Sequence, residues 1–321
     1  MKDGAVRRAA PPLFGNSPVS LIAFLGAVEI GLLFGLVALG VFISFRILNF
    51  PDLTVDGSLP LGAGVAATCI VGGWNPYLGT LLAFFAGCAA GLVTAWLNVK
   101  LKILHLLASI LTMIALFSIN LRVMGRPNIA LLGEDTVFTP FEGLGLPFYW
   151  MNPLVLLVVV ILAKIALDRF LLSEVGLAMR ATGANQRMAR AQGINTGRMT
   201  LMGIALSNGL VAFAGALFAQ LQGGADITMG VGVIVIGLAA VILGEAVMST
   251  RTIILATIAC VVGSIIYRLF VSLALNADFI GLQAQDLKLI TAVLVVAAMT
   301  LPGMRRKLRI KKITAGQGVR K

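Results

Sequence analysis

The chain has 321 residues, of which 59% are hydrophobic and 12% charged, with a mean hydropathy of +1.00. A soluble domain carries about 25% charged residues, so half that share excludes a soluble protein. Repeated apolar runs near the roughly 20-residue span length define an all-α polytopic membrane protein instead. The net charge of +12 does not indicate a nucleic-acid partner. Lys and Arg sit beside the ends of apolar runs, at Lys100 and Lys102, from Arg180 to Arg198 and from Arg305 to Lys321, which is the positive-inside distribution of cytoplasmic loops.

A tail over 1–19 precedes the front helices, 20–172. The first run, 20–45, is too long for a signal h-region and reads as a retained span. The stretch NFPDLTVDGSLPLGAG at 49–64 is interrupted by Pro51, Gly57 and Pro60, and a short apolar piece follows to Gly73. Runs at 76–99 and 105–124 come next, then a loop holding Glu134, Asp135 and Glu142, and a run at 153–172. The polar segment 173–198 interrupts this pattern. Back helices at 199–221, 231–247, 252–275 and 287–301 fill 199–302, and a basic tail covers 303–321. The chain therefore carries about eight to nine transmembrane helices, one of them broken.

Charge places the tail, the polar segment and the Lys100 turn in the cytoplasm and the acidic loop outside. If 52–73 crosses fully, the N-terminus lies outside; if it is re-entrant, the N-terminus lies inside, as Arg7 and Arg8 favour. Small residues spaced four apart (Gly31 and Gly35, Gly87 and Gly91, Ala240 and Gly244) mark close helix contacts. Cys69, Cys88 and Cys260 lie within apolar runs and form no disulfide or metal pattern.

No Gly-rich loop ends in Lys-Ser or Lys-Thr, and no GxGxxG follows a strand, so the chain binds nucleotide by neither device. One histidine, His105, excludes a His-based metal or catalytic cluster. Ionisable groups within spans are costly and therefore informative. Glu29 either lines a pathway or pairs with Arg46 or Arg268, and Glu245 has Arg251 close by for a local ion pair. The interrupted 49–64 stretch offers Thr54, Asp56 and Ser58 either to a substrate site of broken-helix type or to a tight turn capped by Asp56. Thr112, Ser118, Asn120, Ser207 and Asn208 either line a path or bond between helices.

In the polar segment, Leu177, Ala181, Ala184, Met188 and Ala191 share one helical face, and Arg180, Arg187 and Arg190 another. Such a segment lies on the bilayer surface or docks into another protein. Gly183 and Gly193 favour short pieces joined by turns.

The run GLAMRATGANQRMARAQGIN, followed by ALSNGLVAFAGALFAQ, resembles the permease family of ABC importers for branched-chain amino acids and ribose. NFPDLTVDGSLPLGAGVAA resembles that family's turn and following helix, and the likeness covers roughly 25–302. TVDGSLPLGA, SINLRVMGRPNIALL and GLAAVILGEAV look like the tryptophan- and tyrosine-type subgroup, and NFPDLTVDG departs from the sugar-importing branch.

The resemblance implies that Arg180, Gly183, Asn185, Arg187, Arg190, Gly193, Ile194 and Asn195 couple to a separate ATPase dimer that holds ATP and Mg, with no cofactor on this chain. It also implies a periplasmic or lipid-anchored binding protein, a second permease copy, and the bacterial inner membrane as location. The expected function is import of an aromatic or branched-chain amino acid. The rival readings are a self-sufficient secondary transporter and a lipid-modifying membrane enzyme.

Overall fold

A computed structural model describes residues 21–144 and 147–275, with isolated helical positions at 293 and 296. The expected tail 1–19, the rest of the expected 287–301 span and the basic tail 303–321 lie outside the described residues. The chain is built from α-helices because lipid offers backbone groups no partner, and a helix satisfies them internally. They are α1 (Leu21–Phe42), α2 (Val55–Val71), α3 (Pro76–Val99), α4 (His105–Met124), α5 (Phe148–Leu172), α6 (Glu174–Ala184), α7 (Gln186–Ala191), α8 (Thr196–Gln222), α9 (Val233–Val247) and α10 (Ile253–Leu275). Among the described residues, α3, α4, α8, α10 and α1 with its π-helical extension Ile43–Ile47 are long and apolar enough to cross a membrane. The apolar helices α2 and α9 are shorter.

Two ends of the bundle are distinct. Beyond α4, β1 (Asn128–Ala130) pairs antiparallel with β2 (Gly224–Asp226) beyond α8, in the register Ile129 to Ala225. The exposed Glu134 and Asp135 belong to this end, as does Asp226, which Thr228 holds below the usual carboxylate range through its hydroxyl and its N–H. At the opposite end, Lys102 of the α3–α4 turn and Arg190 of α7 line one cavity. Acidic and basic loops therefore segregate to opposite ends, as the charge pattern requires.

The front of the chain runs from one end of the bundle to the other and back. From its π-turn beside α6, the chain turns back over 48–54 and α2 runs on to the hairpin end. There Gly79, in the first turn of α3, packs against Ala66 and Cys69. The described helix α1 thus starts at the hairpin end. Gly57 and Pro60, expected as interruptions, lie inside α2; the non-helical stretch is 48–54. Pro60 has no N–H to bond the carbonyl of Asp56, and that carbonyl instead faces Gly230, where a Cβ would collide with it.

The small-residue pairs are contact points. Gly31 and Gly35 pack on Ile265 and Ser264 of α10, Gly87 and Gly91 on the carbonyls of Asn208 and Ile204 in α8, and Gly244 on the carbonyl of Ala259. Side chains larger than hydrogen would push these helices apart, which is why small residues recur at membrane helix interfaces. Leu33 and Leu36 of α1, Leu59 of α2, Val211 of α8 and Ile234 of α9 form the shared core, so α2 and α9 meet at its centre.

Candidate functional site

The polar segment is two short helices at the basic end. Ser173 caps α6 by accepting from the N–H of Gly176 at 3.4 Å. The helix ends at Asn185, with φ −158° and ψ 100°, and its Oδ1 accepts from the N–H groups of Arg187 and Met188, each at 3.1 Å, to start α7. Gly193, at φ +81°, turns the chain, and Asn195 caps α8 by accepting from the N–H of Arg198 at 3.1 Å. Both asparagines are N-caps, a position that favours a short side-chain acceptor. The break expected near Gly183 falls at Asn185. Gly183 stays helical and lets α6 press onto the Ile47 carbonyl of the π-turn.

The two faces of this segment differ. Met179, Thr182 and Ala189 are buried against the bundle. The apolar face read from the sequence points away from it: Leu177 is 51% and Met188 58% exposed, and Ala181, Ala184 and Ala191 are exposed with them. Ile194 is half-buried and Arg187 exposed. Arg190 folds back, its Nε donating to Thr196 Oγ1 at 2.8 Å. Arg180 lines a cavity of about 410 Å³ with Arg46, Glu245 and Arg251.

A second polar constellation lies inside the bundle, where the N-termini of α2 and α9 meet. Asp56, in the first turn of α2, accepts from the N–H of Gly232 at 3.1 Å and of Ile234 at 2.8 Å. Its carboxylate thus caps α9 rather than the tight turn expected, and sits where two helix dipoles favour a negative charge. Asp52 accepts from the Thr54 N–H at 2.9 Å and from Asn208 Nδ2 at 2.6 Å. Ser58 donates to Asn208 Oδ1 at 2.7 Å, and the hydroxyls of Thr54 and Thr94 share a bond at 2.8 Å. Asn120 Nδ2 donates to the Gly57 carbonyl at 3.1 Å, while its buried Oδ1 has no partner among the described residues. Asp56, Gly57, Ser118 and Asn120 reach the wall of a cavity of about 430 Å³ whose other lining includes Ile114, Phe117 and Val231.

The structure therefore gathers Thr54, Asp56, Ser58, Asn120 and Asn208, adds Asp52 and Thr94, and leaves three candidates elsewhere. Ser207 donates to the Gly40 carbonyl of α1 at 2.7 Å. Thr112 donates to the carbonyl of Ala108 in its own helix at 3.0 Å and lines a separate cavity beside Leu61 and Ala90. Glu29 bonds Asn152 of α5. Neither expected partner of Glu29 is beside it: Arg46 pairs with Glu245, and Arg268 lies over the Phe34 ring at 5.0 Å. The expected Glu245–Arg251 turn is thereby corrected to a bond between the π-turn and the end of α9. Lys164 and Asp168 form an i,i+4 pair at 2.5 Å within α5, and Thr257 donates to Asp168 at 2.7 Å. The i,i+4 spacing of Lys164 and Asp168 is a sequence signal for this pair.

Fold and site together define a multi-pass, all-α membrane protein with an exposed two-helix polar segment at its basic end. The chain belongs to the family of branched-chain amino acid transport system permease components, matched over residues 24–300. It is thus the membrane-spanning permease of an ABC-type transport system. It is 39% identical over 279 residues to the tyrosine transport system permease protein of Clostridioides difficile, covering 87% of this chain and 90% of that one. A probable branched-chain amino acid transport permease protein LivH of Methanocaldococcus jannaschii is 25% identical over 207 residues, 61% of this chain and 65% of that one. Among solved structures, PsaBC from Streptococcus pneumoniae in complex with Fab contains a chain of similar fold, with a TM-score of 0.52 at 13% identity over 90% of this chain and 94% of that one.

Proposed function

We propose that this permease imports an amino acid, an aromatic one first and a branched-chain one second. It would work in the bacterial cytoplasmic membrane as a pair of copies, with an ATPase dimer that holds ATP and Mg and a periplasmic or lipid-anchored binding protein. The observation that carries the reading is the uncovered apolar face of α6 and α7, with Arg187 beside it, at the basic and therefore cytoplasmic end. An apolar helical face flanked by an exposed arginine suits a groove with an acidic rim.

A line of contacts leads inward from that face. Gly183 of α6 rests on Ile47 in the π-turn, and Arg46 of the same turn pairs with Glu245 at the end of α9. The start of α9 is capped by Asp56, at the wall of the 430 Å³ cavity. These contacts would carry a movement of α6 to α9 and α2. A π-turn is a common element at such functional bends. The cavity joins the polar residues Asp56, Ser118 and Asn120 to apolar walls, a mixture that suits a small polar group carrying an apolar or aromatic side chain.

Arg187→Glu tests the docking reading. Reversing a charge that becomes covered at an interface costs about 2–5 kcal/mol, so the ATPase subunit is expected to be lost from the purified complex while the permease still inserts. Normal co-purification with this variant would overturn the assignment of the segment.

A further inference from the structure

The basic end holds a cavity of about 340 Å³ between the α3–α4 turn and the α7–α8 junction. Lys102, His105 and Arg190 line it, with Gln186 and Thr196, and no carboxylate does so among the described residues. Arg190 is pre-oriented, since its Nε is held by Thr196 Oγ1 at 2.8 Å, which leaves the two terminal guanidinium nitrogens outside that bond. The turn carrying Lys102 is fixed by Asn98 Nδ2, which donates to the Ile103 carbonyl at 2.7 Å. Helix α4 begins at the same wall, with Leu104 as N-cap and no side-chain cap, so its positive end adds to the field of the cations. Two cations, an imidazole and a helix start in one polar cavity make an anion site. The tetrahedral oxygens of a phosphate match that donor set.

The borders of the cavity select the source of the phosphate. Leu104 forms part of its wall and is 76% exposed, with Leu101 at 54% and Leu106 and Leu107 beside them. A free phosphate has no use for these leucines, whereas acyl chains cover them. We propose that this cavity binds the headgroup phosphate of an anionic phospholipid, with Lys102 and Arg190 on the phosphate and Leu101 and Leu104 along the first acyl carbons. The lipid would bridge the α3–α4 turn and α7, making the position of the docking segment sensitive to the adjacent leaflet. Basic pockets between helices at the cytoplasmic surface hold anionic lipids in this manner. The inference rests on the reading that puts this end at the cytoplasmic leaflet.

The test uses the full-length permease in vesicles that carry the same phosphatidylglycerol and phosphatidylcholine mixture in both leaflets, so its outcome does not depend on orientation. Lipids retained after extraction into detergent are counted by native mass spectrometry. The expected result is one phosphatidylglycerol retained per chain in preference to phosphatidylcholine. Retention should weaken about fivefold in Lys102→Gln and again in Arg190→Gln, and stay unchanged in Lys100→Gln, which removes an equal charge from the same turn outside the cavity. Inorganic phosphate added in detergent should not displace the lipid. Equal retention of the two lipids by the wild-type protein would overturn the proposal without recourse to any variant. So would an equal loss in Lys100→Gln. Displacement by inorganic phosphate would assign the cavity to a free anion instead.

Discussion

Replacing Gly183 by alanine is expected to uncouple ATP hydrolysis from transport while leaving the permease inserted and still bound to its ATPase. A Cβ at this position would overlap the Ile47 carbonyl oxygen and lie 2.8 Å from its carbon and 2.9 Å from Leu48 Cα. These are backbone atoms, so no rotamer change relieves the overlap, and α6 has to lift off the π-turn. Overpacking of this kind costs about 1–3 kcal/mol. Intrinsic helix propensity acts in the opposite sense, since alanine is favoured over glycine within a helix by about 1 kcal/mol. A loss of function in Gly183→Ala therefore reports the Ile47 contact and not a weakened helix. Uptake per ATP hydrolysed in proteoliposomes should fall by about tenfold, the equivalent of roughly 1.4 kcal/mol within that overpacking range. Uptake at the parental ratio would show that the contact with Ile47 transmits nothing.

Asn208→Leu is expected to be among the most destabilising single changes in the bundle, at about 3–5 kcal/mol. Asn208 is completely buried, and its amide serves Asp52 and Ser58 together. Leucine fills much the same volume but strips the Asp52 carboxylate of one of its two side-chain donors, leaving Thr54, and leaves the Ser58 hydroxyl without its acceptor. Removing one partner from a buried charge costs more than removing the charge as well. Asp52→Asn added to Asn208→Leu should therefore recover part of the loss, a coupling that a double-mutant cycle measures. The midpoint of thermal unfolding in detergent, read with the monodisperse fraction, gives the answer. Parental stability in the single variant would mean that Asp52 does not depend on Asn208.

The spans were legible because each long apolar run ends at a residue lipid rejects, as at Lys100 and Lys102. The polar segment 173–198 stood out for the converse reason, a polar stretch with helical spacing between apolar runs. Its caps were present as Asn185 and Asn195, yet Gly183 drew the expected break because glycine disfavours helix when read locally. Only the approach of Ile47, far upstream, explains a glycine inside α6. The same limit applies at the centre. Asp52 reads as one more loop residue beside Pro51 until α8 brings Asn208 against it, and Asp56 reads as the cap of a tight turn until α9 arrives. Thr112 and Glu29 resemble the gathered residues in type, and packing alone separates them from the central cluster. The pairing of Arg46 with Glu245 was beyond reach for the same reason, whereas Lys164 and Asp168 were within it.

The most direct test is uptake of labelled tyrosine, phenylalanine and leucine into proteoliposomes, measured with the permease alone and with its ATPase and binding protein added. Import by an ATP-driven permease requires that uptake of at least one of these amino acids depend on ATP and all three components and disappear without the ATPase. Uptake by the purified permease alone under an ion gradient would contradict it and establish a self-sufficient transporter.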